Sequence, residues 1–245
     1  MKSVVIIPAR YASSRFPGKP LVDIRGKSLI RRTWERCRLV LADTDIFVAT
    51  DDSRIAEHCV ENGMQHIMTS SDCLTGTDRV KEASDQIDAD IYLDVQGDEP
   101  LINPDDITAI MIVAENSPGA VINGMCKIED EAEFRSPMIP KVLAAPDGRL
   151  LYMSRAPVPS NKSNEFRGAM RQVCVMAFDK NALDAFSSVK EKTPLEAIED
   201  LEVLRFLEMG FDVKMVEVTS QSIAVDSPED VIKVEAVLAQ LENNE

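Results

Sequence analysis

Apolar and polar residues recur along this chain at two spacings, and the switches between them mark its elements. Val4-Val5-Ile6-Ile7 is an unbroken apolar run stopped by Pro8, the pattern of a parallel strand buried on both faces. Ser28 stands where a helix cap belongs, ahead of Leu29, Ile30, Thr33, Trp34, Cys37 and Leu41 on one helical face. Residues 45–50 predict a second strand, and Asp51-Asp52-Ser53 opens a short helix. Residues 65–68 predict a third strand, 76–87 a helix and 90–95 another strand. Asn103 caps the next helix, with Pro104 at its first position and Asp105-Asp106 in its first turn. The alternation predicts βαβ units, hence an α/β doubly wound, mainly parallel sheet.

The pattern then changes. Residues 120–127 and 140–153 read as strands, with Pro146-Asp147-Gly148 as a hairpin turn. Residues 157–171 are polar and turn-rich, which predicts a long loop or lid. A helical pattern returns over 195–209, closed by Gly210, and 211–216 predicts a late strand. Ser227-Pro228-Glu229-Asp230 reads as a capping box into a last helix.

Composition narrows the function. A chain of 245 residues with 44% hydrophobic content supports one large domain with a real core. Its net charge of −15 argues against nucleic acid and anionic membrane surfaces as partners. No apolar stretch approaches the ~18 residues of a membrane helix, and Met1-Lys2 leads into a strand without a signal-peptide core. Five scattered cysteines, with no C-x-x-C, predict reduced thiols and a cytoplasmic location. Only two histidines, His58 and His66, leave little material for histidine catalysis.

The candidate chemistry begins where the first strand ends. The loop after Pro8 carries Ala9, Ser13, Ser14 and Gly18 among Arg10, Arg15 and Lys19. Small residues let backbone N–H groups approach an anion and the cations neutralise it, so this loop reads as a phosphate cradle. Arg15 and Lys19 suit β- and γ-phosphates, and Arg10 the charge developing at an α-phosphate. Neither a Walker-type G-x-x-x-x-G-K-[ST] nor a G-x-G-x-x-G is present. Asp98 follows a buried strand and Asp226 precedes the last helix; a pair of carboxylates beside phosphate suits Mg²⁺. Asp226 before Ser-Pro is equally a capping residue, and Thr75-Gly76-Thr77-Asp78-Arg79 taken in isolation reads as an N-terminal capping turn.

These segments also carry a family resemblance. IIPARYASSRFPGKPLVDIRGK (6–27) resembles the signature loop of the sugar-activating cytidylyltransferases, and within them that of the 3-deoxy-manno-octulosonate (Kdo) cytidylyltransferases, or CMP-Kdo synthetases. VATDD (48–52), TGTDR (75–79), DVQGDEP (94–100), LLYMSRAPVP (150–159), TPLEAIEDLEVLRFLEMG (193–210) and VDSPED (225–230) resemble further stretches of that family. The resemblance implies a nucleotide-diphospho-sugar transferase-like fold, a homodimer, CTP and Mg²⁺. The implied reaction joins CMP to the anomeric hydroxyl of a sugar acid and releases pyrophosphate, as in lipopolysaccharide biosynthesis. It implies a nucleotide half over 1–118, an antiparallel acceptor and dimerisation lobe over 119–192, and C-terminal helices over 193–245 that complete the site. Pro8, Ala9, Arg10, Ser13, Arg15, Lys19, Thr75, Gly76, Arg79 and Gln96 would then hold the nucleotide, and Asp98 and Asp226 the metal. Gln96, Arg155, Gln172, Met176, Glu202 and Val203 would face the acceptor, Arg155 through its carboxylate.

The chain departs from that family in one region. The pattern K/R-H-L/I-G-I/V-Y-G/A-Y reads Arg171-Gln172-Val173-Cys174-Val175-Met176-Ala177-Phe178 here, and L-E-Q-L-R has Val203 in place of its glutamine. A site built to bond hydroxyls rejects analogues that leave its polar groups unpaired. The changes at 172, 176, 178 and 203 therefore point either to an altered acceptor or to drift compensated elsewhere. A homologue that binds CTP without catalysis is the remaining alternative, and the two aspartates argue against it.

Overall fold

The computed structural model of the chain describes residues 1–12, 16–219 and 222–242. The first apolar run forms β1 (Ser3–Ala9). A small hairpin of β2 (Asp23–Ile24) and β3 (Lys27–Ser28) leads into α1 (Leu29–Cys37), where Ser28 Oγ accepts from the Arg31 N–H. Next come β4 (Ile46–Thr50), α2 (Ser53–Glu61), β5 (Gln65–Met68), α3 (Gly76–Ser84), β6 (Ile91–Val95) and α4 (Pro104–Glu115). The middle holds β7 (Val121–Lys127), α5 (Glu131–Arg135), β8 (Lys141–Ala144), β9 (Leu150–Ser154), β10 (Met170–Phe178) and α6 (Lys180–Ser188). The chain finishes with α7 (Pro194–Glu199), α8 (Val203–Glu208), β11 (Val213–Glu217) and α9 (Pro228–Glu242).

The main sheet runs β11-β7-β10-β6-β1-β4-β5, with β8 and β9 attached beside β10. Pairings of β6, β1, β4 and β5 are parallel, as is β11 with β7, whereas β10 runs antiparallel to both β6 and β7. This is the doubly wound α/β arrangement expected from the alternating pattern, with the antiparallel addition in the middle of the chain. Odd and even strand positions feed opposite cores. Val5, Ile7, Leu93, Val95, Val173 and Val175 pack with Trp34, Ile55, Ile107 and Ile110 of α1, α2 and α4. Val4, Ile6, Tyr92, Met176 and Phe178 pack with Val80, Phe186, Leu204 and Phe206 of α3, α6 and α8. Among the described residues, no helix is long and apolar enough to cross a membrane.

Two expectations about helices change. Leu41 and Ile87 lie beyond their helices because the ends tighten to bonds three residues back, Val40 N–H to Cys37 and Ile87 N–H to Ser84. The helix expected over 195–209 is two short ones, broken where Asp200 adopts a left-handed conformation (φ 54°). Arg155 explains the break. Its guanidinium donates to the carbonyls of Glu199 and Asp200, which would otherwise accept from the next turn, and the Glu199 carboxylate is held by Ser154 Oγ and the Arg155 N–H. The box before α9 forms through the Asp230 carboxylate, which accepts from the Ser227 hydroxyl and from the N–H groups of Asp226 and Ser227.

The α7 and α8 helices are fastened to each other by a buried ion pair. Arg205 forks onto Glu196 at 2.7 and 2.6 Å, and both side chains are fully enclosed. The same guanidinium lies over the Phe186 ring and reaches Asp78 of α3. Removing one partner of such a pair strands a buried charge, at a cost of about 3–5 kcal/mol. Arg205→Met is therefore expected to lower the urea midpoint steeply, and the double variant Arg205→Met/Glu196→Leu to recover most of the loss.

Candidate active site

Six separate segments open onto one cavity of about 480 Å³ at the C-terminal ends of β1 and β6. This is the edge at which open parallel sheets take their ligands. β1 supplies Pro8 and Ala9, with Arg10 following, and a one-turn helix starting at Lys19 lies beside them. The start of α3 contributes Thr75, Gly76 and Arg79, and the end of β6 contributes Gln96, Gly97 and Asp98. The α7–α8 turn adds Asp200 and Glu202, with Lys192 before it and Asp226 at the entry to α9. Gly97 makes the convergence possible, since a Cβ there would stand 3.0 Å from the Pro8 carbonyl oxygen.

The cations have distinct fixings. Arg79 is 4% exposed and donates to Thr69 Oγ1 and to Asp51 Oδ2, so it ties α3 to the loop after β4. Lys192 pairs with Asp200. Lys19 Nζ lies 2.7 Å from Asp98 Oδ2 and 3.5 Å from Asp226 Oδ1. Those two carboxylates therefore surround one point, and the Val225 N–H to Asp98 carbonyl bond (2.9 Å) holds their segments together. Among the described residues, no group of three or more His, Cys, Asp or Glu side chains is gathered as a metal site. An oxygen-only pair around a single cation position nevertheless fits a hard divalent ion that completes its shell with phosphate and water.

The acids beneath the cavity are under strain of burial. Asp94 is 1% exposed, and Gln96 Nε2 donates to both its oxygens at 2.9 and 3.0 Å. Burial first, then the Glu202 charge, hold the Asp94 carboxyl well above the usual carboxylate range. Burial and Asp98 push Glu99 up to about 7, against the opposing bond from the Ser222 hydroxyl. Glu202 accepts from the N–H groups of Gly76 (3.1 Å) and Thr77 (2.8 Å), the orphan donors that open α3. Thr75 caps the same helix by accepting from the Asp78 N–H.

Of the residues singled out from the sequence, Pro8, Ala9, Arg10, Lys19, Thr75, Gly76, Arg79, Gln96, Asp98, Glu202 and Asp226 line the cavity together. Ser13 and Arg15 lie outside the described residues. The other four stand apart from the lining. Arg155 supports the α7–α8 turn, donating to the carbonyls of Pro137, Glu199 and Asp200. Gln172 donates to Asn123 Oδ1, and Asn123 in turn bonds the Val173 and Val175 carbonyls at a bulge in β10. Met176 and Val203 are buried in one apolar cluster, 6% and 1% exposed. Sequence reasoning missed Asp94, Lys192 and Asp200. Asp94 had a signal, a carboxylate inside an apolar strand; Lys192 and Asp200 had none.

Comparison with known proteins agrees with this geometry. The model of one family, described as Cytidylyltransferase, matches residues 4–218. The 3-deoxy-manno-octulosonate cytidylyltransferase of Syntrophotalea carbinolica is 41% identical over 252 residues, covering 98% of this chain and 100% of that one. The 8-amino-3,8-dideoxy-manno-octulosonate cytidylyltransferase of Shewanella oneidensis is 38% identical over 244 residues, covering 98% and 99%. A solved structure of CMP:2-keto-3-deoxy-manno-octonic acid synthetase complexed with CTP superposes with a TM-score of 0.91 at 36% identity, covering 98% and 99% of the two chains. A sequence match along nearly the whole chain, on a matching fold and with the signature residues gathered in one cavity, leads to one assignment: the chain belongs to the cytidylyltransferase family, among the enzymes typified by 3-deoxy-manno-octulosonate cytidylyltransferase.

Proposed function

We propose that the protein transfers CMP from CTP to the anomeric hydroxyl of a Kdo-type 3-deoxy ulosonic acid, releasing pyrophosphate. The observation that carries this reading is the meeting of Lys19, Asp98 and Asp226 beside the start of α3, in a cavity that Arg10 also enters. The attack is in line at the α-phosphorus, and such a transfer asks the protein for positioning and charge rather than covalent chemistry. Arg10 and Lys19 neutralise the phosphates, with Arg15 assigned to the same task by the resemblance. Thr75, Gly76 and Arg79 hold the nucleoside side. Asp98 and Asp226 hold Mg²⁺, which when bound supplies charge against the phosphate oxygens. The resemblance assigns the acceptor carboxylate to Arg155, whose guanidinium here bonds the carbonyls of Pro137, Glu199 and Asp200 and so braces the α7–α8 turn beside the cavity.

A second reading keeps the chemistry and changes the acceptor to a modified Kdo, a nonulosonate or another acid. What favours it is the apolar burial of Met176 and Val203 and the commitment of Gln172 to Asn123, at positions where the resemblance implies sugar contacts. We also propose a homodimer in the cytoplasm. Among the described residues β9 pairs with β8 alone, and Leu151 on it and Leu195 and Ile198 on α7 are exposed apolar residues. The five cysteines are all unpaired, as a reducing compartment requires.

Pyrophosphate release, measured with CTP and Mg²⁺ over Kdo, 8-amino-Kdo and a nonulosonate, decides among these readings. Turnover is expected to vanish with EDTA, and Asp98→Asn to lower it by about 100-fold or more. Kdo as best acceptor supports the first reading, and another acid the second. CTP binding without turnover on any acid would point to a non-catalytic homologue. Because Glu202 holds the first N–H groups of α3, Glu202→Ala removes a cap worth about 1 kcal/mol. It is expected to raise KM for CTP roughly fivefold by that energy, measured at saturating acceptor.

A further inference from the structure

Lys19 holds a place that its assigned role does not explain. A lysine that serves phosphates has no need to stand between two carboxylates, yet its ammonium lies 2.7 Å from Asp98 and 3.5 Å from Asp226. Its side chain is mostly shielded, at 17% exposed. The backbone beneath it is fixed, with Lys19 N–H donating to Phe16 and the Lys19 carbonyl accepting from Val22. The four-carbon stem above that anchor is, as in any lysine, intrinsically flexible. Asp98 and Asp226 come from different elements and are drawn together by the Val225 N–H bond to the Asp98 carbonyl. Two carboxylates held so close need a counter-charge between them. Lys19 lies within reach of both carboxylates, while Arg79 is held by Asp51 and Thr69 and Lys192 by Asp200.

We propose that Lys19 is an internal substitute for the metal, and that the divalent ion and the nucleotide therefore bind as one unit. The proposal rests on the reading above that Asp98 and Asp226 hold the ion and that the cavity takes CTP. Ammonium and divalent ion compete for the same two carboxylates and repel each other at that spacing. The ion gains the pair only when Lys19 turns away, and triphosphate oxygens in the same cavity give the ammonium its new partner. Coupling of this kind is reciprocal: the nucleotide opens the metal site, and the metal frees the lysine for the nucleotide. In the nucleotide-free protein the lysine keeps the carboxylates paired and excludes the ion.

The test is direct Mn²⁺ binding to the nucleotide-free full chain, followed by the paramagnetic resonance of the free ion. Lys19→Met is expected to tighten Mn²⁺ binding about tenfold over the wild type, within the usual range of coupling between sites. Lys19→Arg, still cationic, is expected to keep the weak binding of the wild type. Adding Asp226→Asn to Lys19→Met is expected to abolish the gain, which locates the ion. Lys19→Gln repeats the measurement should the methionine variant fold poorly. Equal Mn²⁺ affinity in the wild type and both neutral variants overturns the inference and leaves the proposed reaction standing. A gain that survives Asp226→Asn overturns the metal assignment, and the inference with it.

Discussion

Val4 opposite Tyr92 and Ile6 opposite Asp94 set the parallel register in which β1 and β6 run side by side. Both strands are buried on both faces, so a slip of one residue would exchange every side chain between the two cores. In the observed register β6 ends opposite Ile7 and β1 runs on to Ala9, so that the segments that follow, one with Arg10 and Lys19 and the other with Gln96 and Asp98, open onto the same cavity. The missing side chain of Gly97 lets the second loop settle against the Pro8 carbonyl. The remaining parts of the cavity are brought to this edge by α3, the α7–α8 turn and the segment before α9.

Electrostatics at that edge work against the character of the whole molecule. The chain carries a net charge of −15, yet its cavity collects four basic side chains from separate elements. The acids that accompany them are not left to repel one another. Asp98 and Asp226 share an ammonium, and Glu202 spends its charge on the backbone donors of a helix end. Asp94 and Glu99 sit deeper, and burial shifts both towards the protonated form. Cys174 is raised by the same burial, with Glu99, Asp98 and Asp94 adding to it. An anionic ligand thus meets cations first, and burial favours the uncharged form of the acids beneath them.

The parts of this arrangement that are local in sequence were legible in it. Apolar runs located β1, β4 and β6, and capping residues located α1, α3 and α4, because those signals depend on neighbours a few positions away. The gathering of Arg10, Lys19, Thr75, Gln96, Asp98 and Asp226 was legible through their family motifs rather than through periodicity. The break at Asp200 was not. Its cause is Arg155, some 45 positions earlier, taking two carbonyls that a helix would use. Glu202 reads from the sequence as a substrate contact, and its hold on α3 across 126 positions is a property of the folded chain. Gln172 is similar, since its partner Asn123 lies on a neighbouring strand.

The α7–α8 hairpin grips α3 twice, through Glu202 at its first amides and through Arg205 at Asp78. The same hairpin shapes the far wall of the cavity with Asp200 and Glu202. Its sequence is thereby under two selections at once. A change in residues 193–210 that moved this hairpin would shift the start of α3 on the other side of the cavity, and would call for matching changes around residues 75–79. Two walls of the cavity are thereby mechanically linked, and exchanging that hairpin between relatives would transplant a piece of both.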